Sequence, residues 1–236
     1  MENETIHVLR SIGSSRPAAA AMNIDLAQLP HAALTYANAG EDLALRKMFK
    51  RRLVDGVGGT YVDIGCAAPV STSNTYLFYC MGWRGVCVDA NPDAAPYWAD
   101  VRPEDQFVSA AIGEREGSAS LFRHRDNLGM HKLANFCPSP DFLPTPDTVP
   151  LLRLDRLLQT HLPGRSIQFM SLDVEGAEMG VLKSNDWQKW RPVVILMACL
   201  TFEMLAPRES ESVAFLLDHD YRQDAKISGN VVFVAK

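Results

Sequence analysis

One glycine and three carboxylates stand where short β-branched runs end, and they mark where this chain could hold a small molecule. Thr60-Tyr61-Val62-Asp63-Ile64-Gly65 and Gly85-Val86-Cys87-Val88-Asp89-Ala90-Asn91-Pro92 each read as a buried strand followed by a turn. Separated by one crossover, they predict neighbouring parallel strands that bring a glycine turn and an acid to a common edge. A carboxylate so placed accepts both hydroxyls of a ribose, so the pair points to a nucleoside-binding site. The plainer alternatives are a turn-capping role for Asp89 before Asn91-Pro92 and a ligand-free strand-end turn at Gly65.

The residues after Gly65 narrow the ligand. Cys66, Ala67, Ala68 and Pro69 follow it, so the second and third glycines of G-x-G-x-x-G are absent, and the second is what lets backbone approach a pyrophosphate. S-adenosylmethionine has adenosine, a sulfonium and an amino acid tail but no phosphate, and so needs no such approach. The residues therefore favour a methyltransferase using that donor. A nicotinamide-dependent oxidoreductase and a non-catalytic nucleoside-binding protein of the same fold remain the alternatives. On this reading Gly65 turns the chain beside the cofactor, and Asp63 orders the loop or meets the amino group of the methionine tail.

Asp173 and Glu175 end a further run, Ile167 to Asp173, and two residues apart they share a face if the chain stays extended. A divalent metal is a rival use for such a pair, yet no clear third ligand accompanies them, so no metal site is assigned. His131 and His124 stand in a proline-rich stretch from His124 to Pro150. An imidazole titrating near neutrality suits a base, so His131 is a catalytic candidate, against the commoner case of a loop histidine without one.

These residues need elements to position them. Glu41 and Asp42 precede apolar residues at Leu43, Leu45, Met48, Phe49 and Leu53, which predicts an amphipathic helix with acids at its positive end. Strands are expected at 60–64, 86–89, 106–112, 167–173 and 193–200, with helices at 73–81, 94–101, 151–161, 177–183 and 213–218. Residues 118–122 read as an added strand, and 221–226 with 230–235 as a closing pair. Repeated strand, crossover, strand predicts a parallel sheet with its carboxyl ends on one rim. Pro138, Pro140, Pro144, Pro146 and Pro150 forbid a long helix in 124–150, which reads as a lid-like insertion. Residues 1–35, rich in Ala, Ser and Pro from Ser11 to Pro30, read as a partly mobile arm before a domain at 36–236.

Composition excludes several classes. The 236 residues are 47% hydrophobic and 22% charged, as in an ordinary globular chain. Net charge is −5 with scattered Lys and Arg, which disfavours nucleic acid as a partner. The 5 cysteines lack C-x-x-C spacing, arguing against a disulfide framework or structural zinc. No run reaches the roughly 20 apolar residues of a membrane span, and the amino terminus lacks a secretory h-region. The expected home is cytoplasmic, the expected partner a small-molecule or glycan acceptor, and a homo-oligomer is compatible with the sequence.

Several of these segments together resemble the FkbM-type family of S-adenosylmethionine-dependent methyltransferases. They are Gly40-Glu41-Asp42, Tyr61 to Gly65, Ser73-Asn74-Thr75-Tyr76, Gly82-Trp83-Arg84-Gly85-Val86, Asp89-Ala90-Asn91-Pro92, Leu172-Asp173-Val174-Glu175-Gly176-Ala177-Glu178 and Trp190-Arg191-Pro192. The resemblance implies an α/β class I methyltransferase fold, Rossmann-like, with a seven-stranded mostly parallel sheet, helices on both faces and one antiparallel strand near its end. It also implies O-methylation of a carbohydrate or other natural-product hydroxyl. It places Glu41 near the cofactor tail, Ala90 beside Asp89, and Ser109, Ala110 and Ala111 at the adenine edge. Asp173 then borders both cofactor and acceptor, as a cofactor contact and as the residue that orients the acceptor hydroxyl or takes its proton. Trp83 and Trp190 are expected to be packing anchors and Asn74 a brace. Two departures are visible: Cys66-Ala67-Ala68 replaces the family's usual Ala-Asn loop, and Met197-Ala198-Cys199 stands where a carboxylate is common, with Glu203 further on.

Overall fold

The structure, a computed structural model, describes the backbone of residues 6–7 and 23–24, and residues 33–125, 131–133, 140–199, 204 and 206–236. Most of the expected arm, together with Asn127, Gly129, Asn135, Cys137, Pro138 and Glu203, lies outside the described residues. The chain divides into two compact units, Met1–Leu34 and Thr35–Lys236. In the first, β1 (Ile6–His7) pairs antiparallel with β2 (Asn23–Ile24).

The second unit opens with α1 (Glu41–Met48) and α2 (Lys50–Val54), so the expected single helix is two, broken at Phe49. Phe49 is buried against Trp83 and Phe78. Asp42 fixes the start of α1, accepting from the Tyr36 and Leu43 amides at 2.8 Å each.

A seven-stranded sheet follows. Its members are β3 (Thr60–Ile64), β4 (Arg84–Asp89), β5 (Gln106–Ser109), β10 (Phe169–Leu172), β11 (Val194–Ala198), β12 (Tyr221–Ile227) and β13 (Asn230–Ala235), and their order is β12-β13-β11-β10-β3-β4-β5. Only β13 runs against its neighbours. Every residue of β3 and β10 is buried, as expected of parallel strands covered on both faces. Edge strand β12 instead alternates, with Arg222, Asp224 and Lys226 outward.

Alternation along β3 sends its side chains into two cores. Val62 and Ile64 join Leu154, Leu157 and Leu158 of α5 (Leu154–His161) and Val181 and Leu182 of α6 (Glu178–Lys183). Tyr61 joins Leu45, Phe49, Phe78 of α3 (Tyr76–Cys80), Trp83 and Trp98 of α4 (Ala95–Val101) on the other face. Trp83 and Trp190 are buried, 1% and 4% exposed. Helix α7 (Glu211–Asp218) completes the first core through Val213 and Leu216.

Two expectations need correcting. The strand read as 106–112 is bent: β5 ends at Ser109, Ala110 donates its amide to the Asp89 carbonyl at 3.0 Å, and β6 (Ala111–Ile112) leaves for a second sheet. The helix read from Leu151 begins only at Leu154, because Leu151 and Leu152 close β9 (Asp147–Leu152) and pair with β6. This four-stranded sheet, ordered β6-β9-β7-β8, includes β7 (Gly117–Phe122) and β8 (Lys132–Leu133). Arg123 ties it to the loop after β4 by ion pairs to Asp93 and, at 2.7 Å, Asp147.

Candidate functional site

The ends of β3, β4 and β10 meet at one point. Ile64 lies in register with Val88 and Leu172, and the Gly65 and Cys66 amides both donate to the Val88 carbonyl, at 2.8 and 3.1 Å. Gly65 has φ +81°, and a Cβ there would lie 1.7 Å from the Asp173 carbonyl oxygen. Glycine is therefore required twice, by its left-handed backbone and by the approach of the β10 turn.

Asp89 sits beside this turn, 8% exposed. Its Oδ2 accepts from the Ala67 amide and its Oδ1 from the Asn91 amide, each at 2.8 Å. Burial pushes its pKa up, and these two amides pull it back. A carboxylate offers about four acceptor positions, so both oxygens retain capacity toward the cavity they line. The capping role and the ligand role are thus compatible in the same side chain.

Three contiguous hollows follow the rim. The first, about 60 Å³, is lined by Asp89, Ala90, Ala110, Ala111, His131 and Leu133 among others. The second, about 240 Å³, carries Asp63, Gly65, Ser73, Asn74, Ser171 and Asp173. The third, about 470 Å³, carries Glu41, Lys132, Asp173, Ser210, Ser212 and Asn230. Asp173 and Glu175 border all three. Glu41 therefore lines the third hollow rather than the second, with its oxygens accepting from the Ala39 amide and the Asn230 side chain.

Asp63 is buried and accepts from the Thr75 hydroxyl at 2.6 Å. Burial raises its pKa, against the Thr75 hydroxyl and the Arg102 charge. Asn74 braces the crossover onto β10 by donating to the Ser171 hydroxyl at 3.0 Å. Arg102, which sequence reasoning missed, organises this corner. Fully buried, it pairs with Asp105 at 2.6 Å and donates to Tyr61 Oη, Thr75 Oγ1 and the Pro69 carbonyl. It thereby ties the loop after Gly65 to the partner of Asp63.

The turn after β10 is of a different kind. Glu175 has φ +53° and Gly176 φ +100°, and Glu178 holds the turn by accepting from the Val174 and Gly176 amides at 3.2 and 3.1 Å. Asp173 is solvent-exposed where it borders the three hollows. Burial, then Glu175, Glu178 and Asp63, push its pKa up to about 6. Lys132 Nζ lies 4.0 Å from Glu175. Among the described residues no three His, Cys, Asp or Glu converge as metal ligands, and no helix is long and apolar enough to cross a membrane.

His131 lines the first hollow but not the third. Its Nδ1 accepts the His124 amide at 3.0 Å. Burial, then Arg123, hold its pKa below the usual histidine value.

The profile of the methyltransferase FkbM domain matches residues 63–222. Among solved structures, monomeric WbdD aligns at 10% identity over 89% of this chain and 44% of its own, with a TM-score of 0.47. Precorrin-6y C5,15-methyltransferase from Geobacter metallireducens GS-15 aligns at 12% identity over 80% and 89%, with a TM-score of 0.40. Burkholderia thailandensis 1,6-didemethyltoxoflavin-N1-methyltransferase, solved with 1,6-didemethyltoxoflavin and S-adenosylhomocysteine, aligns at 12% identity over 86% and 91%, with a TM-score of 0.37. No curated protein matches the sequence. With the family profile spanning more than half of it and its sheet in the class I methyltransferase order, the chain belongs to the FkbM methyltransferase domain family.

Proposed function

We propose that this protein transfers a methyl group from S-adenosylmethionine to a hydroxyl of a carbohydrate or other small polyhydroxylated acceptor. The observation that carries the reading is the charge of the rim beyond Gly65. The second hollow is lined by Asp63, Asp173 and Glu175 and, among its described lining residues, by no Lys or Arg. A pyrophosphate would meet like charge there, whereas the sulfonium and ammonium of the donor, which outweigh its single carboxylate, meet opposite charge. This disfavours the nicotinamide alternative on physical grounds independent of the missing glycines.

The residues fit the donor in order along the rim. Asp89 holds the ribose hydroxyls, Ala90 and Ala110 border the purine, and Asp63 with Asn74 faces the amino acid tail. Bound there, the donor supplies an electrophilic methyl on a good leaving group. The protein must then hold the acceptor in line, worth roughly 7 to 11 kcal/mol, and accept its proton, worth about 10²- to 10⁴-fold.

Asp173 suits that second task, because it borders both the donor hollows and the third one. With a pKa of about 6 it is ionised at neutral pH. The third hollow offers Ser210, Ser212, Lys132 and Asn230 to a polyhydroxylated acceptor. On transfer the sulfonium–methyl bond would break as the oxygen–methyl bond forms, its electron pair staying on sulfur to leave neutral S-adenosylhomocysteine, and the acceptor's proton would pass to Asp173. The test is an acceptor screen with isotope-labelled S-adenosylmethionine: label transferred to a glycan or small polyol supports the reading. Donor binding without turnover across the screen would favour the non-catalytic alternative.

A further inference from the structure

We propose that His131 recognises the purine of the cofactor, its Nε2–H donating to a ring nitrogen, and is not the base of the reaction. The proposal rests on the adenosyl reading of the first hollow and adds a donor to it. Of the residues described as lining that hollow, His131 alone carries a side-chain N–H; the rest are apolar, glycine or carboxylate. A purine edge presents ring-nitrogen lone pairs, which only a donor can satisfy.

The tautomer follows from the backbone. Since Nδ1 accepts the His124 amide at 3.0 Å, it carries the lone pair, and the single proton of a neutral ring resides on Nε2. A general base must present a lone pair toward the acceptor. Here the lone pair faces the protein's own backbone. Nε2 itself is shielded from water and has no hydrogen-bond partner among the described residues. A buried donor without a partner is costly and is rare in folded proteins unless something else meets it.

Nε2 is shielded in the free protein, so the contact requires the wall made by Leu121, His131 and Leu133 to part as the ring enters. The adjoining third hollow, where an acceptor would sit, is not lined by His131. Position and tautomer therefore agree.

Calorimetry with S-adenosylhomocysteine tests this without knowing the acceptor. His131→Phe should bind it roughly tenfold more weakly than the natural protein, the loss expected for one hydrogen bond. His131→Gln, which keeps an N–H donor, should recover part of the loss. Among 1-, 3- and 7-deaza analogues, one should weaken binding to the natural protein and have no added effect on His131→Phe. Equal affinity of the natural protein and His131→Phe, with both folded by circular dichroism, overturns the assignment while leaving the adenosyl reading intact. Failure of the natural protein to bind S-adenosylhomocysteine at all removes the adenosyl reading and this assignment with it.

Discussion

Asp89 and Asp173 end strands on either side of β3, yet they occupy opposite environments. At Asp89 each oxygen takes one backbone amide at 2.8 Å, and no other carboxylate contributes to its shifted pKa. At Asp173 three carboxylates crowd the group, and the next turn contains two residues in the left-handed region. One corner is satisfied before any ligand arrives; the other is held under like-charge repulsion and, at the non-glycine Glu175, backbone strain of order 1 to 3 kcal/mol. Under the proposed function, the satisfied corner holds and the crowded corner reacts. A preorganised binder needs the first and a proton acceptor near neutrality the second.

The largest effect should come from removing what fixes the quiet corner. Arg102→Met leaves Asp105 buried without its partner, which costs about 3 to 5 kcal/mol, and releases the Pro69 and Thr75 contacts. Denaturant melts should show that loss, while Arg102→Met/Asp105→Leu should recover much of it. A single variant as stable as the natural protein would mean the network does not organise the loop.

On the crowded side, Asp173→Asn should slow methyl transfer by about 10²- to 10⁴-fold and change S-adenosylhomocysteine affinity far less. The pH profile follows from the sign of the shift. Only the carboxylate accepts a proton, so kcat/KM should rise with pH through about 6 and lose that step in the variant. Stability moves the other way. The folded protein binds this proton more tightly than the unfolded chain, so the contribution is present below about 4 and lost as pH rises through about 6. Melts of Asp173→Asn between those limits should be flatter than those of the natural protein.

The smallest effect is expected at Glu175. Glu175→Gly removes both a left-handed non-glycine and one of the charges beside Asp173, so stability should hold or rise by up to about 1 kcal/mol. The Asp173 step in the rate profile should move to lower pH. An unmoved step would show that Glu175 does not set the Asp173 environment.

The quiet corner was legible because its information is local. Tyr61 to Gly65 and Gly85 to Asp89 are continuous apolar runs with their functional residue at the end, so strand, direction and rim position follow from one crossover. The four-stranded sheet was not legible, because β6 finds its partner at Leu151 and Leu152, and Pro150 within β9 argues against a strand by ordinary rules. That misreading also hid how His131 reaches the hollow. Arg102 was missed since its partners Tyr61, Pro69 and Thr75 come from distant segments; only the three-residue spacing to Asp105 hinted at a pair. Glu41, expected at the cofactor tail, lines the third hollow, where the side chain of Asn230, far along the chain, donates to it.

The central claim is that Gly65 and Asp89 together hold an adenosyl group, and titration calorimetry of S-adenosylhomocysteine into the natural protein and Asp89→Ala tests it most directly. The account predicts binding to the natural protein and a loss of about ten- to a hundredfold in the variant, the value of hydrogen bonds to a charged group. Equal affinity in both proteins, or binding of a nicotinamide dinucleotide in place of S-adenosylhomocysteine, would contradict it.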